Sequence, residues 1–217
     1  MRVLGICIVV CAIGWVVWSR LSQRRNRRRA LQVLRWIEAA LAGQGHVAGI
    51  RWLDASHFKV PLRLTSGLFR RAWIMVEFSP CTMPIHWVLS KLNSRQDQIT
   101  FEADLDLPPS FSLEVYNFRW FARSSKKTSP GSGDWTFEQT GPFILSTRME
   151  WQKEVTRAMS SITEPCSREF SNIRFQRRSP HFSASMPLET ISPTCSSRTC
   201  MFDTVLELAA NSLPSVF

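Results

Sequence analysis

Nothing in the 217 residues matches the common signatures of catalysis: there is no P-loop, GxGxxG, GxSxG, HExxH or CxxC pattern. Glycine occurs only nine times, so loops whose backbone cradles a phosphate are not expected. A disulfide framework is lacking too. Of the six cysteines, Cys7 and Cys11 fall in an apolar run, while Cys81, Cys166, Cys195 and Cys200 are scattered. Free thiols are the expectation for a cytoplasmic domain. Acid is missing from one place: the first 35 residues hold eight arginines and no Asp or Glu.

That absence explains the net charge of +10. Beyond residue 35, nineteen basic residues face seventeen acidic ones, leaving only +2. A nucleic-acid-binding domain would carry its basic patch on the folded face, so no nucleic-acid partner is expected. The charge instead sits beside an apolar run from Val3 to Trp18, made of Val3, Leu4, Ile6, Ile8, Val9, Val10, Ile13, Trp15, Val16, Val17 and Trp18 with small residues between. As a helix these residues span about 24 Å, or about 28 Å if extended to Leu21. A hydrocarbon core takes roughly 30 Å, so the span is short and relies on a thin bilayer or on Arg20 snorkelling. Trp15 and Trp18 stand at the end where indoles favour the headgroup level.

A cleaved signal peptide fits less well: its n-region would hold only Arg2, and no small-x-small cleavage site follows. Arg20, Arg24, Arg25, Arg27, Arg28 and Arg29 follow the span directly. The positive-inside rule then puts the N-terminus outside and the rest in the cytoplasm. Each basic residue near an anionic surface contributes about 1 kcal/mol of attraction. The expected partner is therefore a bilayer with anionic headgroups. Cys7, Cys11, Gly14 and Trp18 recur on one helical face, which offers a homodimer contact. The expected organisation is an anchor at 1–21, an arginine-rich stalk at 22–45 and a soluble domain at 46–217.

Within the stalk, Ala30–Ala42 reads as a helix ended by Gly43 or Gly45, and the arginine run can extend it back to the membrane. Strands are expected at Gly49–Leu53, Phe58–Leu64, Ala72–Phe78, Gln98–Leu107, Ser110–Phe121, Trp135–Gln139, Phe143–Leu145, Phe170–Arg177 and His181–Leu188. Phe58–Leu64 and Gln98–Leu107 show period-2 alternation, and Ala72–Phe78 is more uniformly apolar and reads as central. Pro61 places its strand at an edge or a bulge, and a further bulge is expected near Asn117. Helices are expected from Pro84 to about Leu92, over Thr147–Ile162 with Thr147 as cap, and over Met201–Ala210. The polar stretch from Arg123 to Gly133 reads as a loop. The class is thus α+β, an antiparallel-rich sheet with helices on one face.

A weak repeat runs through this pattern. Ile50-Arg51-Trp52, Ser56-His57-Phe58 and Pro61-Leu62 are echoed by Ile173-Arg174-Phe175, Ser179-Pro180-His181-Phe182 and Pro187-Leu188. It suggests a duplicated helix–hairpin unit.

Three clusters merit a test as sites. Cys81, His86, Cys195 and Cys200 have the ligand types of a zinc site but not its spacing, so no metal is expected. His57 and His181 stand at matching hairpin turns, where a histidine commonly satisfies backbone groups rather than acting as acid or base. Glu102, Asp104 and Asp106 line one strand face, opposite in sign to Arg174, Gln176 and Arg178, and the two sets pair if their strands are neighbours. No catalytic residue and no cofactor emerge. The reading is a binding or assembly module held at the membrane, with a protein partner of unknown kind. A membrane-tethered enzyme with an unrecognised site and a translocated ligand-binding domain are the alternatives.

Overall fold

Strict alternation is what turns this chain into a sheet. Along Gln98–Leu105, every second side chain, from Ile99 through Phe101 and Ala103 to Leu105, is buried and the others are half-buried. A strand places successive side chains on opposite faces, so such a run must lie between a core and a more polar surface. The computed structural model describes residues 2–79, 96–109, 111–117, 135–140, 143–148 and 170–190. The side chains of residues 2–5, 7–11, 135–140, 148 and 190 fall outside that description. So do the expected helices at Pro84–Leu92 and Met201–Ala210 and the loop at Arg123–Gly133.

The elements run α1 (Arg2–Ala40), β1 (Gly45–Val47), β2 (Arg51–Trp52), β3 (His57–Leu64), β4 (Phe69–Glu77), β5 (Gln98–Leu105), β6 (Leu113–Asn117), β7 (Trp135–Thr140), β8 (Phe143–Arg148), β9 (Asn172–Phe175) and β10 (Phe182–Pro187). A single 3-10 turn follows at Leu188–Thr190. All ten strands form one antiparallel sheet, ordered β1-β3-β4-β5-β10-β9-β6-β8-β7, with β2 also on β3. The class is α+β, and α1 is the one α-helix among the described residues.

The helix is 39 residues long, about 58 Å at the usual rise. Its C-terminal half is amphipathic. Asn26, Ala30, Val33, Ile37 and Ala40 form a buried stripe at helical spacing, continued by Leu41. The apolar members of that stripe share one core with Phe58, Val60 and Leu62 of β3, Ala72, Ile74 and Val76 of β4, and Phe101, Phe182 and Ile173. Leu31 is 56% exposed rather than part of the buried stripe.

Two glycines end the helix and turn the chain onto the sheet. Gly43 has φ of 90°, a left-handed conformation that side chains with a Cβ resist. Gly45 pairs with Leu64, and a Cβ on it would stand 2.3 Å from the Arg63 carbonyl oxygen. Gln44 closes this corner, its carbonyl accepting from Thr65 N at 2.9 Å. α1 and β3 therefore run side by side in the same direction.

Pro61 lies inside β3, between β4 on one side and an edge on the other. That edge is formed twice, by β1 against Leu62–Leu64 and by β2 against Phe58–Lys59. Between them Ala48 N donates to Pro61 O at 2.9 Å. The proline's missing N–H faces this edge, at the point where the β1 ladder ends, and not the β4 ladder. The expected strand Gly49–Leu53 is correspondingly only Arg51–Trp52.

Other limits shift for local reasons. Ser110–Phe121 narrows to Leu113–Asn117 among the described residues. Thr147, expected as a helix cap, lies in a strand. It sits in β8 opposite Leu113, and its hydroxyl donates to Ser112 O at 3.2 Å. The rest of the helix expected at Thr147–Ile162 lies outside the described residues. A register shift occurs in β4, between Phe69 and Arg71. Of the region near Asn117 where a bulge is expected, the described part through Asn117 pairs with β8 without a register shift, and the residues that follow lie outside the described ones.

The two echoed hairpins have matching geometry. Trp52 pairs with Phe58 and Phe175 with Phe182, with ring centroids 5.1 and 4.9 Å apart. Phe58 registers with Val76, which registers with Ile99; Phe182 registers with Ala103, which registers with Ala72. Both sets lie two residues to either side of the Ile74–Phe101 pair. The two hairpins are thus related by a local twofold passing through that pair.

Truncating either phenylalanine tests this core. Both are fully buried, and Phe58→Ala and Phe182→Ala are each expected to cost about 3–5 kcal/mol. Denaturant unfolding of the full chain in detergent measures it, and a loss well below 1 kcal/mol at either site would contradict the packing.

Candidate functional site

The stalk meets the sheet where β3 begins, β4 ends and β5 begins. The four-residue turn before β3 organises itself around Asp54. Its Oδ1 accepts from Ser56 N at 2.6 Å, His57 N at 2.7 Å and Ser56 Oγ at 2.9 Å. This is an Asx-type turn, in which a short carboxylate satisfies backbone donors that the bend leaves unpaired. Asp54 Oδ2 then lies 2.6 Å from His57 Nδ1. On the other side, His57 Nε2 lies 3.2 Å from Oε1 of Glu77, its register partner on β4.

An imidazole with a carboxylate on each nitrogen is best satisfied when both nitrogens carry protons. Partial burial pulls His57 down, but the hydrogen bonds and charges of Asp54 and Glu77 outweigh it and leave its pKa above the ordinary value. For Asp54, partial burial pushes upward, while the hydrogen bonds from Ser56 and His57 prevail and hold its pKa below the usual carboxylate value. Ser56 Oγ is also 3.2 Å from Nδ1. A nucleophilic relay needs the serine and the carboxylate on different ring nitrogens. Here Asp54 shares the Nδ1 side with the serine, Glu77 holds Nε2, and Ser56 Oγ donates to Asp54 Oδ1 at 2.9 Å, so the arrangement is a clamp on His57.

Two α1 side chains lock onto the same end of the sheet. Buried Asn26 donates from Nδ2 to Ala55 O at 3.0 Å. Arg29 Nη1 stands 2.6 Å from Asp97 Oδ2, and Asp97 Oδ1 accepts from Ser79 N at 2.7 Å. Toward the N-terminus from this junction Ser22, Ser19 and Trp18 are half-buried and Ala12–Val17 is exposed. Arg20, Arg24, Arg25, Arg27, Arg28 and Arg29 are all exposed. Of the apolar run, Ile6, Ile13, Trp15, Val16 and Val17 are more than half exposed, and Trp18 is half-buried. The side chains of Val3, Leu4, Ile8, Val9 and Val10 lie outside the described residues. Among the described residues no helix is long and apolar enough to cross a membrane. Beside the junction, Ile50, Trp52 and Leu53 form a second exposed apolar group, at 44%, 40% and 53%.

The other singled-out residues do not converge. His181 Nδ1 lies 3.3 Å from Leu105 O at the far end of β5, roughly 20 Å along the strand from His57's end of the sheet. The two histidines therefore form no acid–base pair. β5 and β9 are not neighbours, because β10 lies between them. Glu102 accepts from Trp73 Nε1, and Lys59 Nζ sits 3.8 Å over the Trp73 ring. Asp104 accepts from Ser179 Oγ at 2.7 Å, and Asp106 is exposed. Arg174 pairs with Glu114 at 2.8 Å, and Thr100 bonds Ser185 at 3.0 Å. On the face opposite α1 these contacts form a polar ladder in which Glu102, Thr100 and Arg174 are engaged by cross-strand neighbours and Asp104 by the turn before β10.

Cys81, His86, Cys195 and Cys200 lie outside the described residues. Among the described residues no group of three His, Cys, Asp or Glu is placed to hold a metal ion. The clamp was not evident in the sequence. Asp54 three residues before His57 hints at an Asx turn, but Glu77 joins only through strand register. No protein-family model matches this chain, and no curated protein matches it.

The clamp gives stability a definite pH dependence. Because His57 is raised on folding, its contribution is complete below its unfolded pKa of about 6.5 and disappears as pH rises through the higher folded value. Urea unfolding of the parent and of His57→Gln is expected to show a stability gap that is widest just below pH 6.5 and narrows at alkaline pH. A gap independent of pH would rule out the charged clamp.

Proposed function

We propose that this chain is a single-pass membrane protein whose α+β domain is a binding or assembly module held at the cytoplasmic bilayer surface. The N-terminus lies outside. The observation that carries the reading is the division of α1 into two environments. From Asn26 onward one stripe is buried against the sheet, whereas Ala12–Val17 is exposed all round. A helix apolar on every side and projecting from its domain needs an apolar partner. The span from Val3 to Trp18 together with the flanking arginines fits a bilayer with anionic headgroups.

The anchor and stalk form one helix in this reading, so the domain is carried by a rigid rod rather than a linker. Gly14 has open space where a Cβ would stand, which suits close approach of a second helix in a homodimer. The clamp and the polar ladder hold their groups in structural pairings, which favours a binding role over a catalytic one. The local twofold between the hairpins supports duplication of a helix–hairpin unit, with the β2–β3 and β9–β10 hairpins as its two copies.

Membrane fractions carrying the chain are expected to retain it after alkaline carbonate extraction. Cys195 and Cys200 should react with a membrane-impermeant maleimide only after lysis. Labelling in intact cells would reverse the topology, and release by carbonate would remove the anchor.

A further inference from the structure

A second membrane contact follows from where the stalk places the sheet, and it rests on the anchor reading above. A hydrocarbon core of about 30 Å accommodates roughly twenty helical residues. Starting from Val3, these reach Ser22, with Arg20 snorkelling outward. Asn26 then lies four residues further on, about 6 Å beyond the hydrocarbon. The headgroup layer on each side is about 5–7 Å deep, from a total thickness of 40–45 Å. Asn26 is bonded to Ala55 at 3.0 Å, so the β2–β3 turn comes to the headgroup level with it.

The residues at that level have the chemistry of an interfacial contact. Leu53, Trp52 and Ile50 are exposed, and Arg51 between them is exposed as well. An indole beside aliphatic side chains and a guanidinium suits the boundary between headgroups and acyl chains. Leu53 is held in place, its N–H donating to His57 O at 3.0 Å. The carboxylates of Asp54 and Glu77 share this end of the sheet and would be repelled by anionic lipid. His57 lies between them at 2.6 and 3.2 Å, and its cationic form offsets one of the two charges. The stalk arginines Arg24, Arg25, Arg27 and Arg28 add charge of the attractive sign.

We propose that the segment Ile50-Arg51-Trp52-Leu53 docks into the headgroup interface of an anionic bilayer, holding the domain against the membrane at a second point beside the anchor. A rod inserted at one point leaves its domain free to rotate about the helix axis. A second contact fixes which edge of the sheet faces the lipid.

The test uses the full chain reconstituted in phosphatidylcholine vesicles with and without phosphatidylserine. A photo-crosslinking benzoylphenylalanine replaces Leu53 in one protein and Arg63, exposed near the other end of β3, in another. The expected result is a lipid adduct at position 53, stronger with phosphatidylserine, and none at position 63. Trp52→Ser combined with Ile50→Ser is expected to reduce the adduct at position 53. If the chain stays in carbonate-washed vesicles but position 53 gives no lipid adduct, this contact is overturned and the anchor stands. A protein adduct at 53 instead would assign the segment to a second chain and overturn the lipid contact. Release of the chain by carbonate would overturn the anchor, and this inference with it.

Discussion

One helix has to satisfy two surroundings without a break, and the rest of the molecule follows from how it does so. The stripe Asn26, Ala30, Val33, Ile37 and Ala40 lies against β3 and β4 and supplies one wall of the core. Burial at about 25 cal/mol per Å² makes this the main force holding the helix to the sheet. Asn26 and Arg29 add directional contacts at its upper end, to Ala55 and Asp97. Above that level Ser22, Ser19 and Trp18 are half-buried, and Ala12–Val17 is exposed all round. The helix continues because nothing in residues 2–40 interrupts it: there is no proline, and its glycines, Gly5 and Gly14, leave it unbroken.

The sheet is arranged to match. Its helix-facing side is a continuous apolar layer in which Phe69, Phe101, Phe182, Phe175 and Phe111 touch in sequence, with centroids 4.9 to 6.0 Å apart. Such contacts contribute about 0.5–1.5 kcal/mol each beyond area burial. The other side carries paired polar groups. This division lets a broad sheet be stable with a single described helix on one face, because the ladder of cross-strand contacts occupies the opposite one.

Much of this was legible in the residues. Period-2 alternation located β3 and β5 to within a few positions, because one buried face leaves a clear signal, and the more uniformly apolar run Ala72–Phe78 located most of β4. The C-terminal half of α1 and its glycine stop were equally plain. What was not legible depended on contacts far apart in sequence. Strand order put β10 between β5 and β9, which separated the acidic row from Arg174 and left Arg174 to Glu114. Thr147 has the look of a helix cap with Glu150 three residues on, yet register with Leu113 makes it a strand residue. The pairing of His57 with Glu77 spans twenty positions and no local pattern encodes it. The exposure of Ile50, Trp52 and Leu53 was likewise hidden, since an apolar segment between turn residues reads as buried.

The broken edge opposite Pro61 has a consequence for how this sheet meets other chains. An exposed strand with a full row of free N–H and C=O groups invites another strand to add to it, and edges of that kind seed aggregation. Here the edge is split into Gly45–Val47 and Arg51–Trp52, and the residues between them leave the strand path. A visiting strand would find in-register donors for only two or three residues before losing alignment. This side of the domain is thereby protected against runaway sheet extension. Association on this side must proceed through side chains rather than through the backbone.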